Sequence, residues 1–285
     1  MRGAARRPEV QVTRARLGPV LEGTWMSELA QLTYSGPIAT LVFNRPEARN
    51  SLSLDLLAAS HARLGELEAN GDVSVLILTG AGKAFCAGMD LKAVASDEGL
   101  AAGLPLKLLR SLAEFTVRLR ALRMVSVAKV NGAAIGGGCG LATVCDLAVT
   151  HADSKMGFPE VDLGVCPAVV APWLVRKIGP GRARQILLSG GLMSGQRALE
   201  VGIVDYVVPT VADLDPGVAA IAQRLSTGGP AALRATKALL NQLDGSLDDA
   251  LAAQGAELSA RVLASPEAQA MLRSKLGPAD KPAPR

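Results

Sequence analysis

A repeating order of strand, strand and helix constrains this chain more than any other feature of its sequence. Short apolar runs at residues 29–34, 38–43 and 73–78 predict strands, and a helical pattern that begins at Ser53 separates the last two. A further buried strand is predicted at residues 125–130, so the order recurs at a spacing of roughly 50–60 residues. This recurrence predicts an α/β fold of stacked ββα units.

The last third of the chain is predicted to be mostly helical. Helical patterns follow Pro167 at residues 169–178, 181–189, 194–201, 212–226, 230–243, 246–264 and 266–276. No low-complexity linker interrupts the chain. We therefore expect one core at residues 26–208 and a helical region at residues 209–285. Residues 1–25 are rich in arginine and lack the apolar core of a secretory signal, so we expect a poorly ordered extension.

Composition excludes several classes of protein. Most of the net charge of +4 falls on the first 25 residues, and aromatic residues make up only 3%, so nucleic-acid binding is not expected. The longest uncharged stretch, residues 130–145, contains Asn131 and five glycines, and no membrane partner is expected. Four cysteines without a CxxC pair, with only two histidines, predict reduced thiols, no metal site and a cytoplasmic location.

Two glycine-rich segments follow two of the buried strands. Residues 84–91 follow the strand at 73–78, and residues 131–139 follow the strand at 125–130. Glycine lets a backbone approach a ligand closely, and a helix N-terminus offers free N–H donors. The two backbones could converge on one carbonyl oxygen as an oxyanion hole. Alternatively, these glycines only permit tight turns between strand and helix.

Motifs of other enzyme classes are not found in the sequence. There is no G-x-S-x-G elbow, no P-loop and no H-E-x-x-H, and the glycine run at residues 136–140 does not complete G-x-G-x-x-G. Neither a dinucleotide cofactor nor a metal ion is therefore indicated.

Five motifs in order resemble the enoyl-CoA hydratase/isomerase (crotonase) family over residues 29–265. They lie at residues 44–52, 76–80 with 83–91, 131–132 with 136–138, 145–146, and 158–160 with 163–164. The resemblance implies a crotonase-like spiral of ββα units with a C-terminal helical trimerisation region. It also implies an acyl-CoA thioester substrate, no separate cofactor because coenzyme A is part of the substrate, and a homotrimer or a hexamer made of two trimers.

The resemblance assigns catalytic roles to three residues. The family's two oxyanion donors fall on the backbone N–H groups of Met89 and Gly137, and Glu160 matches one of two glutamates that many family hydratases use. The other glutamate position holds Gly140, which cannot transfer a proton. Because the neighbours of Glu160 are apolar, we expect its pKa to be raised towards neutrality, as suits an acid or base.

Further residues at the motif positions are expected to contact the substrate. They are Ala48, Ala87, Gly88, Asp90, Leu91, Lys92, Gly136 and Gly140. In relatives a basic residue at the Lys92 position reaches a CoA phosphate, and the backbone near Ala48 contacts the adenine end. Asp90 is also predicted to cap the following helix, and Asp146 and the cysteines are predicted to be structural.

Four functions remain open at this point. The run at residues 167–172 resembles the methylglutaconyl-CoA hydratase-like branch, which favours an enoyl-CoA hydratase (a lyase) with Glu160 as acid and base and Glu114 as a candidate second group. A Δ3,Δ2-enoyl-CoA isomerase would need only a single carboxylate. A catalytically weak acyl-CoA-binding protein, or a trimeric scaffold, would need no proton carrier.

Overall fold

The structure, a computed structural model, describes residues 26–276. Its strands are β1 Ala30–Ser35, β2 Ile38–Phe43, β3 Val75–Gly80, β4 Ala84–Cys86, β5 Val125–Val130, β6 Ala133–Ile135, β7 Leu147–His151, β8 Lys155–Gly157, β9 Leu192–Ser194 and β10 Tyr206–Val208. Short 3₁₀ turns lie at Pro46–Ala48, Pro159–Leu163 and Val211–Asp213. The predicted N-terminal extension lies outside the described residues.

Helices connect the strands and form the C-terminal region. They are α1 Met26–Leu29, α2 Leu54–Ala69, α3 Leu91–Val94, α4 Asp97–Ala101, α5 Leu104–Ala121, α6 Gly137–Val144, α7 Ala171–Ile178, α8 Pro180–Ser189, α9 Gly195–Val201, α10 Leu214–Ser226, α11 Pro230–Leu243, α12 Asp249–Leu263 and α13 Pro266–Leu276. Over this part of the chain, no helix is both long enough and apolar enough to cross a membrane.

Successive turns of the chain supply one strand to each of two sheets. The larger sheet has the order β1-β2-β3-β5-β7-β10, and all its pairs are parallel except β1 with β2. The smaller sheet has the order β4-β6-β8-β9, in which only β8 and β9 are antiparallel. The pairs β3 with β4, β5 with β6 and β7 with β8 are consecutive turns, so the predicted ββα spiral is confirmed.

The sequence prediction missed most of the smaller sheet. Residues 80–104 show no clear period in the sequence, yet they contain β4, α3 and α4. Likewise, β9 and β10 lie in the part that was expected to be helical. Strands of three residues are too short to show an alternating pattern, and pairing with neighbouring strands stabilises them instead.

The main core lies between the larger sheet and the helices α2 and α5. Its fully buried side chains include Phe43, Phe85 and Phe115, and the ring centroid of Phe43 lies 6.4 Å from that of Phe85 and 6.3 Å from that of Phe115. Cys86 and Cys145 are also fully buried, and burial raises the pKa of each thiol to about 12. These thiols therefore pack as small apolar side chains, as the sequence predicted.

A buried ion pair joins α11 to the larger sheet. Lys237 is only 5% exposed, and its Nζ lies 2.8 Å from Asp146 Oδ2 and donates to the Met124 carbonyl at 2.8 Å. Asp146 also accepts a hydrogen bond from the Ser126 amide at 2.7 Å and pairs with Arg120 at 3.3 Å. The structural role predicted for Asp146 is confirmed: it anchors the C-terminal helices.

We expect Lys237→Ala to destabilise the protein by about 3 kcal/mol, because it removes one partner of a buried, hydrogen-bonded charge pair. The measurement is the free energy of unfolding from chemical denaturation. Lys275→Ala is the matched control at an exposed position and is expected to change stability by less than about 0.5 kcal/mol. Equal unfolding free energies for K237A and K275A would contradict the anchoring role.

Candidate active site

Glycine allows the two motif segments to touch backbone against backbone. A Cβ on Gly88, whose φ is +87°, would lie 2.6 Å from the Ile135 carbonyl oxygen and 3.7 Å from the Gly137 nitrogen. A Cβ on Gly138 would lie 2.1 Å from the Cys86 carbonyl oxygen. Only glycine fits such approaches. Both segments therefore reach the same point at the ends of β4 and β6.

The N–H groups of Met89 and Gly137 remain free at this point. Leu52 donates its N–H to the Gly88 carbonyl at 2.7 Å and accepts from the Asp90 N–H at 3.1 Å, so the Met89 N–H is directed away from Leu52. Gly137 is the first residue of α6, where N–H groups have no partner within the helix. Within residues 26–276, neither N–H donates to a protein acceptor.

These backbone groups and Glu160 line one largely apolar cavity. Of the sequence-predicted residues, the structure places Met89, Gly137, Glu160, Ala87, Gly88, Leu91 and Gly136 in its lining. Most of the remaining wall is hydrocarbon from α5 and from residues 163–170. Two N–H donors and one carboxylate therefore face an apolar chamber.

Glu160 presents a buried and unpaired carboxylate to the cavity. It lies on the 3₁₀ turn Pro159–Leu163, and although the residue as a whole is partly accessible, its Oε2 is buried and has no hydrogen-bond partner in the described part of the chain. A Cβ on Gly136 would lie 2.8 Å from Oε1. Burial raises the pKa of Glu160 to about 7, with a smaller opposing effect from its own amide N–H. The expected raised pKa is thus found.

The position of the missing second glutamate is filled by a hydrocarbon side chain. A Cβ on Gly140 would lie 2.2 Å from Val170 Cγ1, and Val170 itself lines the cavity. Glu114 was considered as an alternative second group, but it is exposed on α5 and does not line the cavity. Over residues 26–276, Glu160 is the only carboxylate in the cavity lining.

Four residues predicted to contact substrate lie outside the cavity. Ala48 is in the first 3₁₀ turn, Gly140 is inside α6, and Lys92 is exposed on α3 beside a separate depression. The Asp90 carboxylate lies 3.0 Å from Arg45 and accepts from the Ala93 N–H at 3.4 Å. The predicted helix cap is therefore confirmed, and this carboxylate has protein partners.

The sequence prediction missed the contribution of α12 to the cavity. Ser259 lines it and fixes the neighbouring wall, since its hydroxyl donates to the Cys166 carbonyl at 2.7 Å and accepts from the Ala168 N–H at 3.1 Å. Gly255, one turn earlier, permits contact with the Ala168 carbonyl. The family resemblance implies a trimerisation role for this C-terminal region. No local pattern in α12 shows that it packs over its own active site.

Comparison with known proteins agrees with this geometry. The enoyl-CoA hydratase/isomerase family profile matches residues 33–276. The chain belongs to the enoyl-CoA hydratase/isomerase family. It is 34% identical to the short-chain-enoyl-CoA hydratase of Clostridium acetobutylicum, over 78% of this chain and 84% of that protein.

Relatives of this chain within the family are named either hydratases or isomerases. The chain is 32% identical to the peroxisomal Delta(3,5)-Delta(2,4)-dienoyl-CoA isomerase of Arabidopsis thaliana, over 75% of this chain and 80% of that protein. The crystal structure of an enoyl-CoA hydratase from Mycobacterium avium has a TM-score of 0.77 and 29% identity, covering 87% of this chain and 96% of that one. The chain therefore has the crotonase fold, and its relatives include both hydratases and isomerases.

We expect Glu160→Gln to stabilise the protein at alkaline pH. Between the ordinary carboxyl pKa of 4.5 and the raised value of about 7, the folded state holds more protons than the unfolded state, so wild-type stability falls as pH rises through this window. At about pH 8 the variant should be more stable than wild type by about 3 kcal/mol, and near pH 4 the difference should nearly vanish.

The measurement is the free energy of unfolding at a series of pH values for wild type, E160Q and the exposed control Glu114→Gln. The control should follow wild type throughout. A difference between E160Q and wild type that does not change with pH would show that the folded and unfolded pKa values of Glu160 are equal.

Proposed function

We propose that this family member isomerises the double bond of a 3-enoyl-CoA thioester to the 2-enoyl isomer, with Glu160 as its proton carrier. The observation that carries the proposal is the single carboxylate in an otherwise apolar cavity, opposite two free N–H groups. A double-bond shift moves one proton from one carbon to another. One group that accepts and then returns a proton is sufficient for that reaction.

The reaction begins when the Glu160 carboxylate removes a proton from C2, next to the thioester carbonyl. The C–H bond breaks, an O–H bond forms on Glu160, and the electron pair spreads over the dienolate to the thioester oxygen. The Met89 and Gly137 N–H groups would stabilise the negative charge on that oxygen, and losing one such donor typically costs about 3–4 kcal/mol. Glu160 then returns its proton to C4, which leaves the double bond between C2 and C3.

A pKa near neutrality supports both halves of this cycle. A carboxyl group whose pKa is about 7 is partly ionised and partly protonated at neutral pH, so it accepts and donates with similar ease. A solvated glutamate would be almost fully ionised and a poor acid. The apolar wall that raises the pKa is therefore part of the proposed mechanism.

Hydration of a 2-enoyl-CoA is the second candidate, favoured by the name of the Clostridium relative and by the sequence resemblance to a hydratase branch. In this reaction Glu160 would take a proton from water as the water oxygen bonds to C3, and would deliver that proton to C2. One carboxylate would have to perform both steps, because Val170 fills the position of the second.

The remaining expectations from the sequence are proposals about assembly and location. We propose a cytoplasmic homotrimer or hexamer that uses no cofactor beyond the coenzyme A of its substrate. Exposed leucines on and beside α11 and α12 support the assembly: Leu240 is 56% exposed, Leu243 74% and Leu247 50%. Leu240 and Leu243 are three residues apart on α11 and so lie on one face of that helix, and exposed apolar faces are typical of subunit contacts.

We expect Glu160→Gln to lower kcat by at least about 10²-fold with little change in KM, because the amide keeps the shape of the side chain but neither accepts nor releases a proton near neutral pH. The purified protein would be assayed with 3-enoyl-CoA and 2-enoyl-CoA substrates, and isomerised and hydrated thioesters would be separated. Glu114→Gln is the matched control and should retain full activity. In wild type, kcat/KM should rise with pH up to about 7, as Glu160 ionises.

The products decide between the candidate functions. Isomerised product that disappears in E160Q supports the proposal, whereas hydrated product alone supports the second candidate. Tight binding of the CoA ester without turnover would overturn both and favour an acyl-CoA-binding protein.

A further inference from the structure

Val170 occupies the space from which a second acidic side chain would reach the cavity. A Cβ on Gly140 would lie 2.2 Å from Val170 Cγ1 and 2.7 Å from Val170 Cβ, both shorter than any normal carbon contact. Val170 is only 3% exposed and is the residue that precedes α7. The space beside Gly140 is therefore filled by the Val170 side chain, and a side chain at position 140 would collide with it.

The rest of the wall near Val170 offers water few partners. Val165 and Val169 also line the cavity, and α5 contributes Leu109 and Leu112. A buried water normally makes two to four hydrogen bonds, so an apolar wall holds it poorly. The buried Oε2 of Glu160 has no protein partner in the described part of the chain. Apart from the two free N–H groups and Ser259, the side chains that share the cavity with this carboxylate are therefore apolar.

We propose that Val170 determines which reaction this enzyme performs, by keeping water away from the carboxylate that carries the proton. With water excluded, the proton that Glu160 takes from C2 can go only to carbon, at C2 or C4. With water held nearby, the same carboxylate can take a proton from water while the water oxygen bonds to C3 and C2 receives the proton. This inference rests on the proposed function and assigns its specificity to one side chain.

The test replaces Val170 by threonine, which has nearly the same shape and carries a hydroxyl in place of one methyl group, so that it can hold a water. We expect the ratio of hydrated to isomerised product to rise about tenfold or more. Val175→Thr is the matched control, since Val175 is 39% exposed on α7 and lies outside the cavity lining, and its ratio should equal that of wild type. Thermal melting of each variant shows whether it is folded, and Val170→Ser serves as a second variant.

The same reaction carried out in D₂O shows whether solvent exchanges with the proton on Glu160. In wild type, isomerised product should keep at C4 the hydrogen that came from C2, whereas V170T should incorporate solvent deuterium there. Complete incorporation by wild type, or equal incorporation by folded V170T and wild type, would overturn the role of Val170 while the isomerase proposal stands.

Hydration alone by the wild type overturns the isomerase proposal and also this inference, because water then reaches Glu160 past Val170. If the wild type performs neither reaction, the proposed function fails. The role of Val170 is then tested by whether V170T or V170S hydrates a 2-enoyl-CoA that the wild type does not. A gain supports the role of Val170, and no gain overturns it.

Discussion

The structure depends on backbone touching backbone at the ends of β4 and β6. Gly88 lies against the Ile135 carbonyl and Gly138 against the Cys86 carbonyl, at separations that no side chain would permit. This contact joins two successive turns of the spiral and brings the N-terminus of α6 beside the residue that follows Gly88. The same contact therefore stabilises the fold and places two N–H groups together. The close contact that holds the two turns together also sets the positions of the Met89 and Gly137 N–H groups.

The carboxylate that faces these N–H groups is kept in an environment that opposes its charge. Burial raises the pKa of Glu160 to about 7, and no protein group in the described chain compensates its Oε2. An arginine or a serine nearby would stabilise the ionised form but would also weaken it as a base. Elsewhere in the molecule buried charge is paired, as for Lys237 and Asp146. The contrast between the two sites is typical of a functional carboxylate as opposed to a structural one.

Local patterns in the sequence predicted the parts of the structure that depend on neighbouring residues. The strand at 38–43, the Ser53 cap and the helices at 230–243 and 266–276 agree with the structure because each contains its own period or cap. The backbone donors and Glu160 were assigned from motif resemblance, and the structure brings them into one cavity. The three-residue strands and the Val170 contact were missed because they depend on residues distant in sequence.

The hydrogen bonds of Ser259 determine when the wall of the cavity can form during synthesis of the chain. Ser259 and Cys166 are separated by 93 positions, so the wall that they share cannot form until the chain has been made to α12 and that helix has docked. Contacts of such long range form late, because a long loop must close before they are gained. On the ribosome, the spiral can therefore fold before its chamber is enclosed. A nascent chain would hold its reactive carboxylate in an open cleft until the last helices arrive.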